Sequence, residues 1–379
     1  MSGPRDLIYM ELKDLIKEKL PIIKEIRKNL NENPELAFEE YKTQKIIQQS
    51  LASFGINNYT CAKTGVVGIL NEGEEAIAVR ADMDALPING VSHSCGHDYH
   101  MAIGLGAALV LKEIGCEKTV KFIFQPAEEL IGGAVPMIEE GVLKNPEVKS
   151  MIGYHVWPGL QVGKLQIGTG ATMASIDDFH ITIKGVGGHG AMPHKCKNPI
   201  LPAVDIIQSV QLKSRTAVDP LKPHVITFAS ISAGEATNVI PETALLKGTV
   251  RTFDESLRQQ LAVMIEETAK NVALNYGCEA MIDYSYEYPP LISNEELTEE
   301  FYKETVKIFG EENILSLDQS FGGDDFAYFS QQVPSVHFRA GIEGSGRGSH
   351  PLHSPYFDAD EEVLFYAIYA VVNFILNHK

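Results

Sequence analysis

Basic residues are scarce in this 379-residue chain: 32 Lys and Arg stand against 50 Asp and Glu, a formal charge of -18. A surface of that sign repels nucleic acid and anionic lipid, so neither is expected as a partner. Cysteine is also rare, and the five present (Cys61, Cys95, Cys116, Cys196, Cys278) are widely spread in an odd number, which argues for a reducing compartment and against a disulfide framework. Long hydrophobic runs are missing. The longest, Val363 to Leu376, is too short to span a bilayer and carries Asn373, so it reads as a buried C-terminal helix. The opening MSGPRDLIYMELKDLIKEKL mixes charges into an amphipathic helical pattern rather than a secretion signal, and a cytoplasmic location is expected. No repeats or low-complexity tracts interrupt an ordinary globular composition of 44% hydrophobic and 22% charged residues, so disorder is not expected.

What is there reads as α/β. At this length two domains are expected, one of them split in sequence by the other. Helical patterns near 8–29, 40–54, 99–114 and 131–142 alternate with strands near 76–84, 119–124 and 150–156, several of them almost wholly apolar, which points to a mainly parallel sheet covered on both faces. From about 177 the strands alternate in polarity, as in FHITIKG, where Phe179, Ile181 and Ile183 share a face. The order strand, helix (199–214), strand, strand, helix (255–275), strand is a βαββαβ unit of the ferredoxin-like kind. After Pro289 and Pro290 the first pattern resumes, with VPSVHFRA as a strand returning to the first sheet. The expected division is 1–176 with 290–379 as a catalytic domain, and 177–289 as an inserted one.

Side chains able to bind metal fall just past the strands of the first sheet: Asp82 and Asp84, Cys95 and His97, Glu128 and Glu129, and His155. The carboxyl ends of strands are where ligands bind in parallel α/β sheets. In SCGHDYH, Gly96 permits the tight backbone that lets a thiolate and an imidazole face one ion, and Asp98 can cap the following helix. An isolated CxH is more often a buried thiol beside a satisfied histidine. In FQPAEE the adjacent Glu128 and Glu129 point in different directions, so one can bind a cation while the other acts as a base. Two solvated glutamates opening a helix would look the same. Among the histidines, His350 and His353 lie in SHPLHSP, where prolines stiffen the loop, while His189 and His194 lie in a glycine-rich stretch of the second domain.

The ordered strings NPELAFEE (33–40), RADMDALP (80–87), SCGHDYH (94–100), FQPAEE (124–129), GGHGAMPH (187–194), TNVIPETA (237–244), GTVRTF (248–253), GGDDFAYF (322–329) and PLHSPYF (351–357) resemble the M20 metallopeptidase family. The resemblance is to its aminoacylase, hippurate hydrolase and indole-acetyl-amino-acid hydrolase branch and covers nearly the whole chain. It implies a zinc-exopeptidase-like catalytic domain with an inserted lid that mediates dimerisation, and a pair of divalent ions held by Cys95, His97, Glu129, His155 and His353. Zinc or manganese is expected there, with nickel or cobalt also acceptable to that donor set. The resemblance also implies Glu128 as the general base and Asp84 as the residue that orients a ligand. His189 would stabilise the oxyanion, within one subunit or across a homodimer, and Asn238 and Arg251 would hold the substrate carboxylate. The role of Asp82 is open, and His100 ranks as a lesser candidate ligand. The connection INGVSH (88–93) is shorter than family members usually carry.

The implied activity is hydrolysis of an N-acyl-L-amino acid, N-acetyl or aroyl, by a water activated at two metal ions. The alternative within the family is a dedicated N-acetyl-diaminopimelate deacetylase or a dipeptidase. A nucleophilic Cys95 with His97 as base would leave the paired glutamates without a task, and a non-catalytic binding protein would not need Glu128.

Overall fold

In the computed structural model, which describes residues 4–130 and 132–378, the chain forms two compact units. One consists of Met1–Thr172, Ile292–Asp318 and Tyr328–Lys379, the other of Met173–Leu291 and Gln319–Ala327. The first is built on a mixed sheet in the order Asn57–Cys61, Gly65–Leu70, Val120–Gln125, Glu75–Asp82, Glu147–Gln161, Ser335–Glu343, Leu165–Ile167, Ile314–Ser316. Its middle strands, Val120–Gln125, Glu75–Asp82, Glu147–Gln161 and Ser335–Glu343, are parallel to one another. These are the near-continuous apolar runs, buried along almost their whole length except at the ends of Glu147–Gln161, as a sheet covered on both faces demands.

Helix His97–Glu113 is apolar on nearly every side and buried from His97 to Leu111. It touches strand Glu75–Asp82 together with helices Pro4–Asn31 and Val363–Asn377, so no face of it meets water over that span. The apolar C-terminal run thus closes the core as a buried helix. Among the described residues, no helix is long and apolar enough to cross a membrane.

Three local features differ from the sequence reading. The segment 131–142 is helical only over Ala134–Glu139, bracketed by Gly132 and Gly141 in positive-φ conformations, and Ile131 lies outside the described residues. The antiparallel pair Asn57–Cys61 and Gly65–Leu70 extends the sheet where no strand was assigned. Gln319–Ala327 clusters with the second unit rather than the first. There Ala174 donates its N–H to the carbonyls of Ser320 (3.0 Å) and Gly322 (3.1 Å), and the rings of Phe253 and Phe321 lie 5.0 Å apart.

The second unit is a four-stranded antiparallel sheet in the order His224–Ala233, Thr243–Thr252, Ile176–Lys184, Glu279–Tyr288. Helices Ile200–Ala217 and Glu255–Asn275 cover one face, and Phe179, Ile181 and Ile183 are in its core.

One glycine positions the site directly. Gly96 caps helix His97–Glu113 at φ +86°, and a Cβ there would sit 2.4 Å from Val156 Cγ2 and 3.2 Å from the Phe357 ring. Both the conformation and the space require glycine. Gly96→Ala is therefore expected to destabilise the protein by about 1–3 kcal/mol, as overpacking does, and to displace Cys95 and His97 together. Thermal denaturation combined with metal titration checks this; a variant with unchanged melting and metal affinity refutes it.

Candidate metal centre

Four separated segments of the first unit meet at one place. Cys95 Sγ lies 3.5 Å from His155 Nε2, and Glu129 Oε1 lies 3.3 Å from His353 Nε2 and 3.7 Å from His97 Nε2. In each of the triads Cys95–His97–His155, Cys95–Glu129–His353 and His97–Glu128–Glu129, the donor atoms lie within 4.8 Å of one another. Two of these triads share Cys95, the arrangement needed for a thiolate to serve two ions. Thiolate, imidazole and carboxylate together suit first-row divalent metals.

The unpaired chemistry of the cluster fits a cation. His97 Nε2 is buried with no hydrogen-bond partner, while its Nδ1 is occupied by the Asp84 carbonyl at 2.9 Å. Burial alone would lower the His97 pKa, but Asp82, Asp84 and Glu129 outweigh it and raise it to about 10. Burial, with Glu129 and Glu128 adding to it, pushes the Cys95 thiol well above its ordinary value. Ions bound here would reverse both tendencies, displacing the imidazole proton and stabilising the thiolate. His155 is already held neutral by burial and by neighbouring His100, and its Nδ1 faces the Val156 carbonyl at 2.7 Å.

Asp84 is fully buried and accepts the backbone N–H groups of Glu128 and Glu129, both at 3.0 Å, one on each carboxylate oxygen. It also lies against His97 Nδ1 at 3.4 Å. One side chain thus sets both glutamates and one imidazole. The preceding Ala127 is in a positive-φ conformation (φ 54°), and its N–H is held by Glu40 Oε1 at 3.0 Å. His353 is likewise held at φ 62°, its N–H donating to Ser94 O at 2.9 Å. Such conformations persist only where the surroundings over-determine them.

Asp82 and His100 are held to one another. Val156 donates its N–H to His100 Nε2 at 2.9 Å, so the proton sits on Nδ1 and is donated to Asp82 Oδ1 at 2.6 Å. Both ring nitrogens are used, which removes His100 as a candidate ligand. Arg80 Nη1 grips the other oxygen of Asp82 at 2.7 Å. Burial would raise Asp82, yet His97, Arg80 and His100 hold it well below the usual carboxylate range. Asp82 is an anchor beneath the cluster, as is Glu40, which the residue-by-residue reading had not singled out. The only cue to Glu40 was its place in the string NPELAFEE.

His189, Asn238 and Arg251 all belong to the second unit. The short strand Gly188–His189 pairs with Val239–Ile240, which brings His189 beside Asn238. Ala191 donates its N–H to His189 Nδ1 at 3.1 Å, leaving Nε2 as the protonated nitrogen, a donor. His189 and Asn238 are exposed, and Arg251 is half-buried in the long strand Thr243–Thr252.

Comparison with known proteins places this arrangement. Residues 78–377 match the model of peptidase family M20/M25/M40. The IAA-amino acid hydrolase ILR1-like 4 of Arabidopsis thaliana is 37% identical over 90% of this chain and 82% of its own length. The N-acetylcysteine deacetylase of Bacillus subtilis is 36% identical over 89% of this chain and 92% of its own. The crystal structure of the YXEP protein of Bacillus subtilis, described as a dinuclear metal binding peptidase from the M20 family, superposes with a TM-score of 0.83 at 32% identity, covering 95% of this chain and 98% of that one.

The Asp84 clasp is directly testable. Asp84→Asn replaces one acceptor oxygen with a donor that opposes a backbone N–H, so metal affinity is expected to fall about 10–100-fold, the usual effect of losing a supporting partner, while the far-ultraviolet circular dichroism stays native. Unchanged affinity by competition with a chelating dye refutes the role.

Proposed function

The chain belongs to peptidase family M20/M25/M40, and from that premise we propose that it hydrolyses the amide bond of an N-acyl-L-amino acid, N-acetyl or aroyl. The observation that carries this reading is the convergence of Cys95, His97, Glu129, His155 and His353 from four separate segments, with Glu128 beside them. Relatives named as an IAA-amino acid hydrolase and an N-acetylcysteine deacetylase support the substrate class.

In this reading those five residues hold two divalent ions, zinc or manganese, with nickel or cobalt acceptable to the same donors. When bound, the ions polarise the amide carbonyl and make water acidic enough to attack at neutral pH. Glu128, held by its own N–H to Asp84, takes the proton from the attacking water and returns it to the departing amine. His189 donates from Nε2 to the carbonyl oxygen as negative charge builds there. Arg251 and Asn238 grip the α-carboxylate, a task for which a planar guanidinium is suited. A homodimer through the second unit and a cytoplasmic location complete the proposal.

Glu128→Gln removes the base while keeping the shape. Turnover of N-acetyl and N-benzoyl amino acids is expected to fall by about 10²–10⁴-fold, the usual contribution of a general base, with metal content unchanged by elemental analysis. Retained activity would exclude Glu128. Chelation is expected to abolish activity, with recovery on restoring one of the four metals; activity indifferent to chelators would remove the metal-based reading altogether.

A further inference from the structure

Arg339 lies in strand Ser335–Glu343, paired with His155 on one side and with Gln166 on the other. Laterally paired residues share a sheet face, and so do residues two apart along a strand. Arg339 therefore faces the same side as the candidate ligand His155 and as Trp157. The contacts agree: the guanidinium lies 3.7 Å from the centre of the Trp157 ring, whose own centre is 5.7 Å from that of His155. One aromatic ring separates Arg339 from the metal centre.

Arg339 is 2% exposed. Its Nη1 donates to the Asp318 carbonyl at 2.9 Å, but Nε and Nη2 are buried without a hydrogen-bond partner, and no carboxylate forms an ion pair with it among the described residues. Gln166 Oε1, on the directly opposed residue, is also buried without a partner. Leaving a buried charge with two unmet donors is costly. Nε and Nη2 form the edge of a guanidinium that takes a carboxylate side-on through two parallel hydrogen bonds. The same chain shows this edge in use: in the second unit Arg258 donates from Nε to Asp177 Oδ2 (3.1 Å) and from Nη2 to Asp177 Oδ1 (2.6 Å). Arg339 has the edge and the burial, and the charge of Asp318 acts on it, but among the described residues no acid stands at ion-pair distance from that edge.

We propose that Arg339 is a specificity-determining residue that receives a second carboxylate of the substrate, so that the preferred substrates are N-acyl derivatives of acidic amino acids. The α-carboxylate is already assigned to Arg251 and Asn238, and Arg339 belongs to the first unit with the metal ligands, so it selects the side chain. Trp157 forms the apolar wall against which the methylene groups of that side chain pack. The inference rests on the N-acyl amino acid hydrolase reading above.

Two measurements test it, one of them independent of turnover. Trp157 is the chain's single tryptophan, so intrinsic fluorescence reports this place alone. Glutarate added to the metal-loaded protein is expected to give a saturable change, and its monoamide, glutaramate, is expected to bind about tenfold or more weakly, the factor that corresponds to roughly 1.4 kcal/mol. Hydrolysis of N-acetyl-L-glutamate is expected to exceed that of the nearly isosteric N-acetyl-L-glutamine by a similar factor in kcat/KM. Arg339→Met, which keeps the buried stem, should collapse both ratios toward unity. Arg339→Lys, a second variant that retains the charge without the fork, should fall between. Equal responses to glutarate and glutaramate in the unaltered protein overturn the proposal whether or not either variant folds. Absence of all hydrolysis with the fluorescence preference intact would instead sink the hydrolase reading and leave Arg339 as an acid-binding residue.

Discussion

A thiol, the imidazoles of His97, His100 and His155 and several carboxylates are packed out of water within a few ångströms, with His353 exposed at their rim, and too few positive charges lie among them to balance the set. Arg80 is spent on Asp82, and the protein answers what remains with protons: His97 holds one up to about pH 10, and the Cys95 thiol resists losing its own. Such a cluster is stable when cations replace those protons, because each donor then satisfies a real charge instead of repelling its neighbour. Metal binding and the integrity of this end of the sheet are therefore one problem.

The supporting structure is arranged to keep that cluster from relaxing. Gly96 allows the backbone to pass close beneath Val156, Asp84 ties the two glutamates to the end of the neighbouring strand Glu75–Asp82, and Glu40 holds Ala127 in a conformation it would not adopt alone. His100 joins the Asp82 carboxylate to the backbone of Val156, beside His155, and so links two parallel strands beneath the ligands. Each partner is buried, so water cannot substitute for it. Rigidity of this kind suits a site that must hold water, base and scissile bond in register.

The arginines show how the molecule spends its few cations. With 32 basic residues against 50 acidic ones, charge is scarce, and the buried examples are informative. Arg80 and Arg258 each neutralise an internal aspartate, and both are explained by the fold. Arg339 forms no internal ion pair among the described residues, which is why its free edge is assigned to chemistry the protein handles rather than to its own architecture.

Much of this was legible before any coordinates. The apolar runs pointed to a mainly parallel sheet and the alternation in FHITIKG to the second unit; Cys95, His97, Glu128, Glu129 and His155 stood out because side chains that follow strands collect at one end of a parallel sheet, while the ligand role of His353 came from the family resemblance of the ordered strings. Other features depended on contacts between residues far apart in the chain. Nothing in the string SCGHDYH distinguishes a ligand from a buried link between strands, and His100 became the latter only because the Val156 N–H reaches its Nε2. The place of Gln319–Ala327 follows from backbone pairing with Ala174, and the unmet edge of Arg339 from its register against Gln166. Periodicity along a chain determines which face a residue occupies. Only the packed structure decides which partner waits there, since hydrogen bonds and charges act over a few ångströms of space and are indifferent to sequence separation.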